Sequence, residues 1–255
     1  MSMPTVFVSH GSPTLILDDV PARAFLASLG QQLPKPKAII AVSAHWDTDV
    51  PAVSLARKPE TIHDFFGFPD DLYRLRYAAP GAPKLAERVA KLTGAAHDAH
   101  RGLDHGAWVP AMLGWPEADI PIFQLSVQPD LGPAHHIALG RKLAPLREEG
   151  VLVMGSGGAT HNLRALVRDA GADCEAEPWA QEFDDWLAAT LEKGDEAALA
   201  DYRRQAPNAS DAHPTDEHLL PLHVAYGAAG EGARGRALHR SFSLGNLSMA
   251  SYAFA

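Results

Sequence analysis

The sequence predicts an α/β fold, a single domain (1–255) with a central mixed, largely parallel sheet flanked by helices. Three observations lead to it. Apolar runs without polar alternation at 5–9, 37–44, 51–55, 121–127 and 150–154 read as strands covered on both faces. Amphipathic segments of helical period separate most of them, the alternation expected of a parallel sheet. No internal repeat, low-complexity tract or linker divides the 255 residues, a length that one large α/β domain accommodates.

Taken in order, Thr5-Val6-Phe7-Val8 is a buried strand that stops abruptly at Ser9-His10-Gly11-Ser12-Pro13. A helix over 20–33 carries Val20, Phe25, Leu26, Leu29 and Leu33 on one side. The strand of 37–44 runs straight into His45-Trp46-Asp47. After the short strand of 51–55, Pro80-Gly81 and Pro83 mark the start of a helix over 82–93. Asp104 is placed to cap a helix over 106–114. The strand of 121–127, a helix over 133–147 and the strand of 150–154 follow. The stretch 176–206, rich in Ala, Leu, Glu and Asp, reads as helical, as does 216–229, with Pro214-Thr215-Asp216-Glu217 as its first turn. "GAAGEGARG" (227–235) reads as a surface loop before two late strands near 236–243 and 248–254.

Composition narrows the function classes. A net charge of −9 without a basic patch argues against nucleic acid or an anionic membrane as partner. No apolar stretch reaches the roughly 18 residues that span a bilayer. Met1 leads into a strand without the basic and apolar regions of a secretory leader, so the expectation is a cytoplasmic protein, monomer or homodimer. The single cysteine, Cys174, allows no internal disulfide and no cysteine-based metal cluster.

Histidine is the unusual residue, with 13 copies. Ligands of open α/β sheets bind beyond the carboxyl ends of the strands. His10, His45 and His161 all fall at such ends, the last just past "GSGGATHNL" (155–163). Singly, each reads as well as a loop cap; together they read as one site. The glycines of that segment follow neither the Walker A nor the dinucleotide spacing, and instead let the backbone turn and a substrate approach His161. His105 sits in the first turn behind Asp104, facing an adjacent cleft or incidental to the cap. In "SDAHPTDEHLLPLHVAYG" (210–227), His213 reads as a loop residue and His223 as part of a helix face. Either Glu217 or His218 completes a metal site there, and spacing does not choose. Three N/O ligands without a thiolate suit Zn²⁺ or Fe²⁺ with open positions.

With these residues in hand, the sequence resembles the class III extradiol ring-cleavage dioxygenases, specifically the DOPA 4,5-dioxygenase-like branch. The likeness rests on "FVSHGSP" (7–13), "SAHW" (43–46), "HDFFGFPDDLYRLRYAAPGAP" (63–83), "GLDHGAWVP" (102–110), "GSGGATHNL", "DEHLLPL" (216–222) and "GNLSMASYAF" (245–254), in that order. The resemblance implies one non-haem Fe²⁺ at the sheet edge, with Zn²⁺ able to take the same site. It implies His10, His45 and His218 as metal ligands, His161 as catalytic acid/base and His105 as the histidine contacting substrate or oxygen. The implied reaction opens a catechol-type, DOPA-like ring with O₂ to a semialdehyde, with no organic cofactor. Where the broader class uses a glutamate as third ligand, this chain aligns His218, with Glu217 beside it. Three neutral imidazoles leave the ion's full charge on the site.

"HDFFGFPDDLYRLRY" reads as the substrate-side loop. Phe65, Phe66 and Phe68 either wall an aromatic pocket or belong to the core, and Arg74 and Arg76 either meet a substrate carboxylate or form solvated ion pairs. Tyr252 is either a substrate contact or a packing residue. The competing functional readings are a zinc-dependent hydrolase using the same histidines and a non-catalytic metal-binding protein.

Overall fold

The computed structural model of the chain describes residues 2–171 and 173–255. Its strands are β1 (Thr5–Ser9), β2 (Ala38–Asp47), β3 (Ala52–Ser54), β4 (Ala96–Asp98), β5 (Ile122–Val127), β6 (Val151–Gly157), β7 (Gly235–His239), β8 (Phe242–Ser243), β9 (Leu247–Ser248) and β10 (Ser251–Phe254). The helices are α1 (Pro21–Gln32), α2 (Asp70–Arg74), α3 (Pro83–Thr93), α4 (His105–Gly114), α5 (Gly132–Arg141), α6 (Pro178–Lys193), α7 (Glu196–Ala200), α8 (Tyr202–Gln205), α9 (Ala209–Ala212) and α10 (Leu220–Ala229).

Among the described residues, eight strands form one mixed sheet in the order β4-β3-β5-β2-β6-β1-β10-β7, and β8 and β9 pair separately. Its centre, β5-β2-β6-β1, is parallel throughout. Alternate side chains of these strands serve two cores, as the pleat dictates. Val6, Val8, Ile39, Ala41, Leu152 and Met154 pack under α1 and α4. Ile40, Val42, Leu125 and Val153 pack on the opposite face with α3, α5 and α10. Phe7 and Phe254 join α6 and α10 in a third cluster beside it. Covering on both faces is why the strands lack polar alternation.

Three departures from the sequence reading have local causes. The helix expected over 133–147 ends at Arg141 and gives way to a 3₁₀ turn at Ala144–Glu149, where Pro145 lies in the first turn. The stretch 176–206 breaks into α6, α7 and α8, with Gly194 ending α6 in the left-handed region at φ 71°. The helix expected from 216 begins only at Leu220. Pro221 occupies its first turn, where a missing N–H costs nothing. Residues 214–219 instead form a turn, the Asp216 carbonyl accepting from the Leu219 and Leu220 amides. His218 therefore sits on a turn rather than inside a helix. The edge strand β4 escaped the reading because it is three residues long and two of the three, His97 and Asp98, are polar.

Among the described residues, no helix is long and apolar enough to cross a membrane.

Candidate active site

The site follows from the parallel centre of the sheet. β2, β6 and β1 are neighbours with aligned ends, Ser43 opposite Ser156 and Ser9 opposite Gly157. Chain at and beyond these ends reaches one rim, and it carries His45 within the last residues of β2, His10 just past β1 and His161 past β6. Two segments complete the rim: the first turn of α4, with His105, and the turn bearing His218. Gly157 lets that turn come close, since a Cβ there would lie 2.0 Å from the His218 carbonyl oxygen. Gly106 does the same for α4, its missing Cβ lying against Ser43 Oγ and the His10 ring.

The five histidines form one cluster. His10 Nε2 lies 3.0 Å from His45 Nε2. The His45 and His105 ring centres are 4.0 Å apart, and His161 stacks on His218 at 3.3 Å. The nitrogens of His10, His45 and His105 lie within 4.8 Å of one another, and so do the ligand atoms of His161, Glu217 and His218.

The surrounding hydrogen bonds decide which ring nitrogens carry lone pairs. Ser156 Oγ donates its single proton to the Gly106 carbonyl, so it can only accept from His10 Nδ1, 3.0 Å away. His10 Nε2 is thereby left bare and aimed into the cluster. The Gly106 carbonyl is free for this contact because its helical partner would be the N–H of residue 110, which is Pro110. His218 Nδ1 donates to Glu217 Oε1 at 2.9 Å, and its Nε2 is buried without any partner. His105 Nδ1 donates to Asp64 Oδ2 at 2.9 Å, while its backbone N–H donates to Asp64 Oδ1. Carboxylate or hydroxyl partners that fix the outer nitrogen are the usual support of metal-binding imidazoles.

Electrostatics act in the same direction. Burial pushes His10 and His218 well below the ordinary histidine value, and the neighbouring imidazoles add to it. Burial, reinforced by His105, lowers His45 to about 4. Burial also lowers His161 to about 4. His10, His45, His161 and His218 are therefore neutral at physiological pH, the state in which imidazole ligates a metal. For Asp64, burial raises the carboxyl, but the hydrogen bonds and charge of His105 outweigh it and hold the group at about 2. Behind the rim, fully buried Asp104 caps α4 through the Ala107 amide and accepts from Ser43 Oγ, Gln124 Nε2 and Arg101 Nη2. Arg101 in turn donates to the His45 carbonyl.

The donor set fits a metal ion. Bare, convergent imidazole nitrogens, one of them an orphaned buried acceptor, suit Fe²⁺ or Zn²⁺. If Ser156 fixes the His10 tautomer, Ser156→Ala weakens metal affinity by about 10- to 100-fold with little change in fold. Competition for Zn²⁺ against a chromophoric chelator measures it, and an unchanged affinity would show that His10 is oriented without the serine.

The histidines floor a cleft of about 580 Å³ walled by Phe65, Phe68, Leu163, Leu166, Leu247 and Met249. The structure places His10, His45, His105, His161, His218 and Phe65 on this cleft. Tyr252 does not line it. Tyr252 pairs with Phe7 across β10 and β1, so both rings point into the core, and its ring is 1% exposed. Packing, not substrate contact, accounts for it. Phe66 points into solvent, 91% exposed, outside the aromatic wall. Arg74 pairs with Asp71, and Arg76 bonds the Tyr73 and Leu75 carbonyls; neither reaches the cleft. Sequence reasoning missed Ser156, Asp64 and Arg168, of which the last lines the cleft. Asp64 alone had a signal, being an acid beside His63 in the proposed substrate loop.

Comparison with known proteins defines the class. Residues 4–255 match the family described as the catalytic LigB subunit of aromatic ring-opening dioxygenase, and the chain belongs to that family. It is 48% identical over 261 residues to a protein of Beta vulgaris named 4,5-DOPA dioxygenase extradiol, covering 98% of this chain and 96% of that one. A protein of the same name from Escherichia coli K12 is 40% identical over 233 residues, covering 89% and 85%. A crystal structure of a protein from Escherichia coli K12, described as uncharacterized, superposes with a TM-score of 0.81 at 33% identity, covering 98% of this chain and 99% of that one. The protein is thus an aromatic ring-opening dioxygenase with a histidine-rich site able to hold a metal.

Proposed function

We propose that the chain is one catalytic domain that opens a catechol ring of DOPA type beside the diol, using O₂ and Fe²⁺. The observation carrying this is the convergence of bare, buried imidazole nitrogens on the floor of an apolar cleft wide enough for an aromatic ring. His10, His45 and His218 would hold the ion, with Zn²⁺ a competitor for the same donors. His105 is held by its Asp64 bonds on the substrate side, where it hydrogen-bonds the incoming oxygens.

When bound, iron supplies the one-electron exchange between the ring and O₂ that the protein's own groups lack. The remaining tasks belong to the chain. Phe65 and Phe68 stack the ring and exclude water. His161, neutral and half-buried, takes a catechol proton and later returns it where the O–O bond breaks, a role worth roughly 10²–10⁴-fold. The charge of the nearby catecholate then stabilises the imidazolium that burial alone disfavours. Both oxygen atoms enter the product, so no external reductant is needed.

Anaerobic loading with Fe²⁺, and separately with Zn²⁺, followed by a catechol panel under an oxygen electrode, tests the proposal. The expected result is oxygen uptake and a yellow ring-opened product with iron only, reduced by roughly 10²–10⁴-fold in His161→Ala. No uptake across the panel with iron bound would favour a zinc hydrolase or a metal-binding protein.

A further inference from the structure

We infer that Arg168 reads a carboxylate on the substrate, and that the enzyme selects catechols bearing an acidic side chain whether or not they also carry an amine. The inference rests on the ring-opening reading above and names the substrate class of that same cleft.

The cleft is apolar apart from its histidines and a few hydroxyls, and Arg168 is the one Lys, Arg, Asp or Glu among the described residues lining it. Among the described residues, its guanidinium makes no ion pair or hydrogen bond. Arg88, Arg203 and Arg240 are each neutralised by a carboxylate, and of the other unpaired arginines among the described residues, such as Arg57, Arg164, Arg234 and Arg236, none lines the cleft. Its backbone is held on both sides. The Val167 amide donates to the Leu244 carbonyl at 2.9 Å, and the Leu244 amide donates to the Gly171 carbonyl at 2.7 Å. Val167 also packs against Gly245, where a Cβ would collide with it at 2.7 Å. The backbone that carries Arg168 is thus fixed at the cleft wall, and the exposed guanidinium has no carboxylate partner among the described residues.

Arg168 stands seven positions after His161 on the segment that leaves β6, so acid/base and guanidinium share one piece of chain. A catechol with both oxygens on the histidine floor extends its side chain away from that floor, toward the wall. A guanidinium there offers a planar pair of donors that match a carboxylate bidentately, which a neutral or cationic tail cannot use. No Asp or Glu among the described residues lines the cleft, so nothing pairs with an ammonium group. Selection therefore falls on the acid, and the amine of an amino-acid substrate is tolerated rather than read.

The test compares dihydrocaffeate, hydroxytyrosol and dopamine, three catechols with acidic, neutral and cationic tails, on the Fe²⁺ enzyme. Arg168→Gln is expected to lower kcat/KM for dihydrocaffeate by about 10- to 100-fold through KM, and to leave hydroxytyrosol within about twofold. Dopamine is a poor substrate of both forms, and Arg168→Lys recovers part of the lost discrimination. Equal losses on acidic and neutral substrates, or no loss on either, would overturn the inference. Anaerobic calorimetry of the same compounds on the Zn²⁺-loaded protein separates this from the reaction itself. A carboxylate preference that disappears in Arg168→Gln supports the role of Arg168 even where no catechol is turned over, and then only the ring-opening reading fails. No carboxylate preference in the unsubstituted protein overturns the inference directly.

Discussion

Gly157→Ala is expected to destabilise the protein by about 3 kcal/mol and to weaken metal binding at the same time. Gly157 ends β6 and is fully buried, and the new methyl group would lie 2.0 Å from the His218 carbonyl oxygen. That oxygen cannot easily retreat, because it also accepts the Gly158 amide at 3.0 Å. Relief requires the whole turn to move by more than about 1 Å, since ordinary contacts begin near 3.5 Å. The turn carries the orphaned His218 Nε2, so strain and ligand displacement are one event. Gly114→Ala is the control: its nearest neighbour, the Leu26 carbonyl oxygen, stands at a comfortable 3.5 Å. Metal-free thermal unfolding is expected to fall by about 6–12 °C for Gly157→Ala and to change little for Gly114→Ala. A Gly157→Ala protein that melts normally and binds metal normally would mean that the turn adapts and that His218 is not held by this contact.

The case of Gly157 shows what a sequence discloses and what it does not. Continuous apolar strands, each running into a histidine, announced a parallel sheet with chemistry at its carboxyl rim, and β1, β2 and β6 are arranged in that way. Asp104 was legible as a helix cap because capping is local, needing only the four residues to Ala107. The partners that set the histidines' lone pairs were not legible. Ser156 lies 146 positions from His10, and Asp64 lies 41 from His105. No spacing rule connects such pairs; only the register of the sheet and the packing of α4 do. Pro110 was visible as a residue, yet its effect, a carbonyl released to hold Ser156, exists only once β6 and α4 meet. The carboxylate-reading arginine was sought next to the aromatic loop, where Arg74 and Arg76 bond their own segment. The arginine on the cleft wall belongs to a loop pinned by Leu244, a contact between distant parts of the chain. Tyr252 was undecided for a related reason: a strand side chain faces core or cleft according to pleat register, which the sequence alone leaves open.

Acid is expected to unfold the metal-free protein steeply, and buried histidines, those away from the cleft as well as those in it, are the cause. Burial lowers His136 to about 3, although its hydrogen bond to the Gly132 carbonyl partly opposes this. Its Nε2 accepts the Gln128 amide at 3.0 Å, a bond that protonation would destroy. Burial likewise lowers His213 to about 3 and His223 to about 4, again against carbonyl hydrogen bonds that favour the charge. All three are neutral in the fold down to at least about pH 5, whereas the unfolded chain protonates them near pH 6.5. The unfolded state then binds about three more protons from these rings, and the depressed cleft histidines His10, His45, His161 and His218 add to that number once the metal is removed, so stability rises with pH across this window and falls as pH drops. Each histidine contributes about 1.4 kcal/mol per pH unit, the three away from the cleft together about 4 kcal/mol per unit between pH 6 and pH 5. A domain with a typical 5–15 kcal/mol of stability loses its margin within about two or three units. Depressed carboxylates such as Asp64, at about 2, act in the same direction but only at lower pH, because an unfolded aspartate titrates near 3.9. Urea midpoints of the chelator-treated protein at pH 7.5, 6.5, 6 and 5 isolate the histidine window. A slope corresponding to at least about three protons is the expected reading. A flat profile from pH 6.5 to 5 would mean that these rings accept protons inside the fold, and that the carbonyls facing His223 and His213 outweigh their burial.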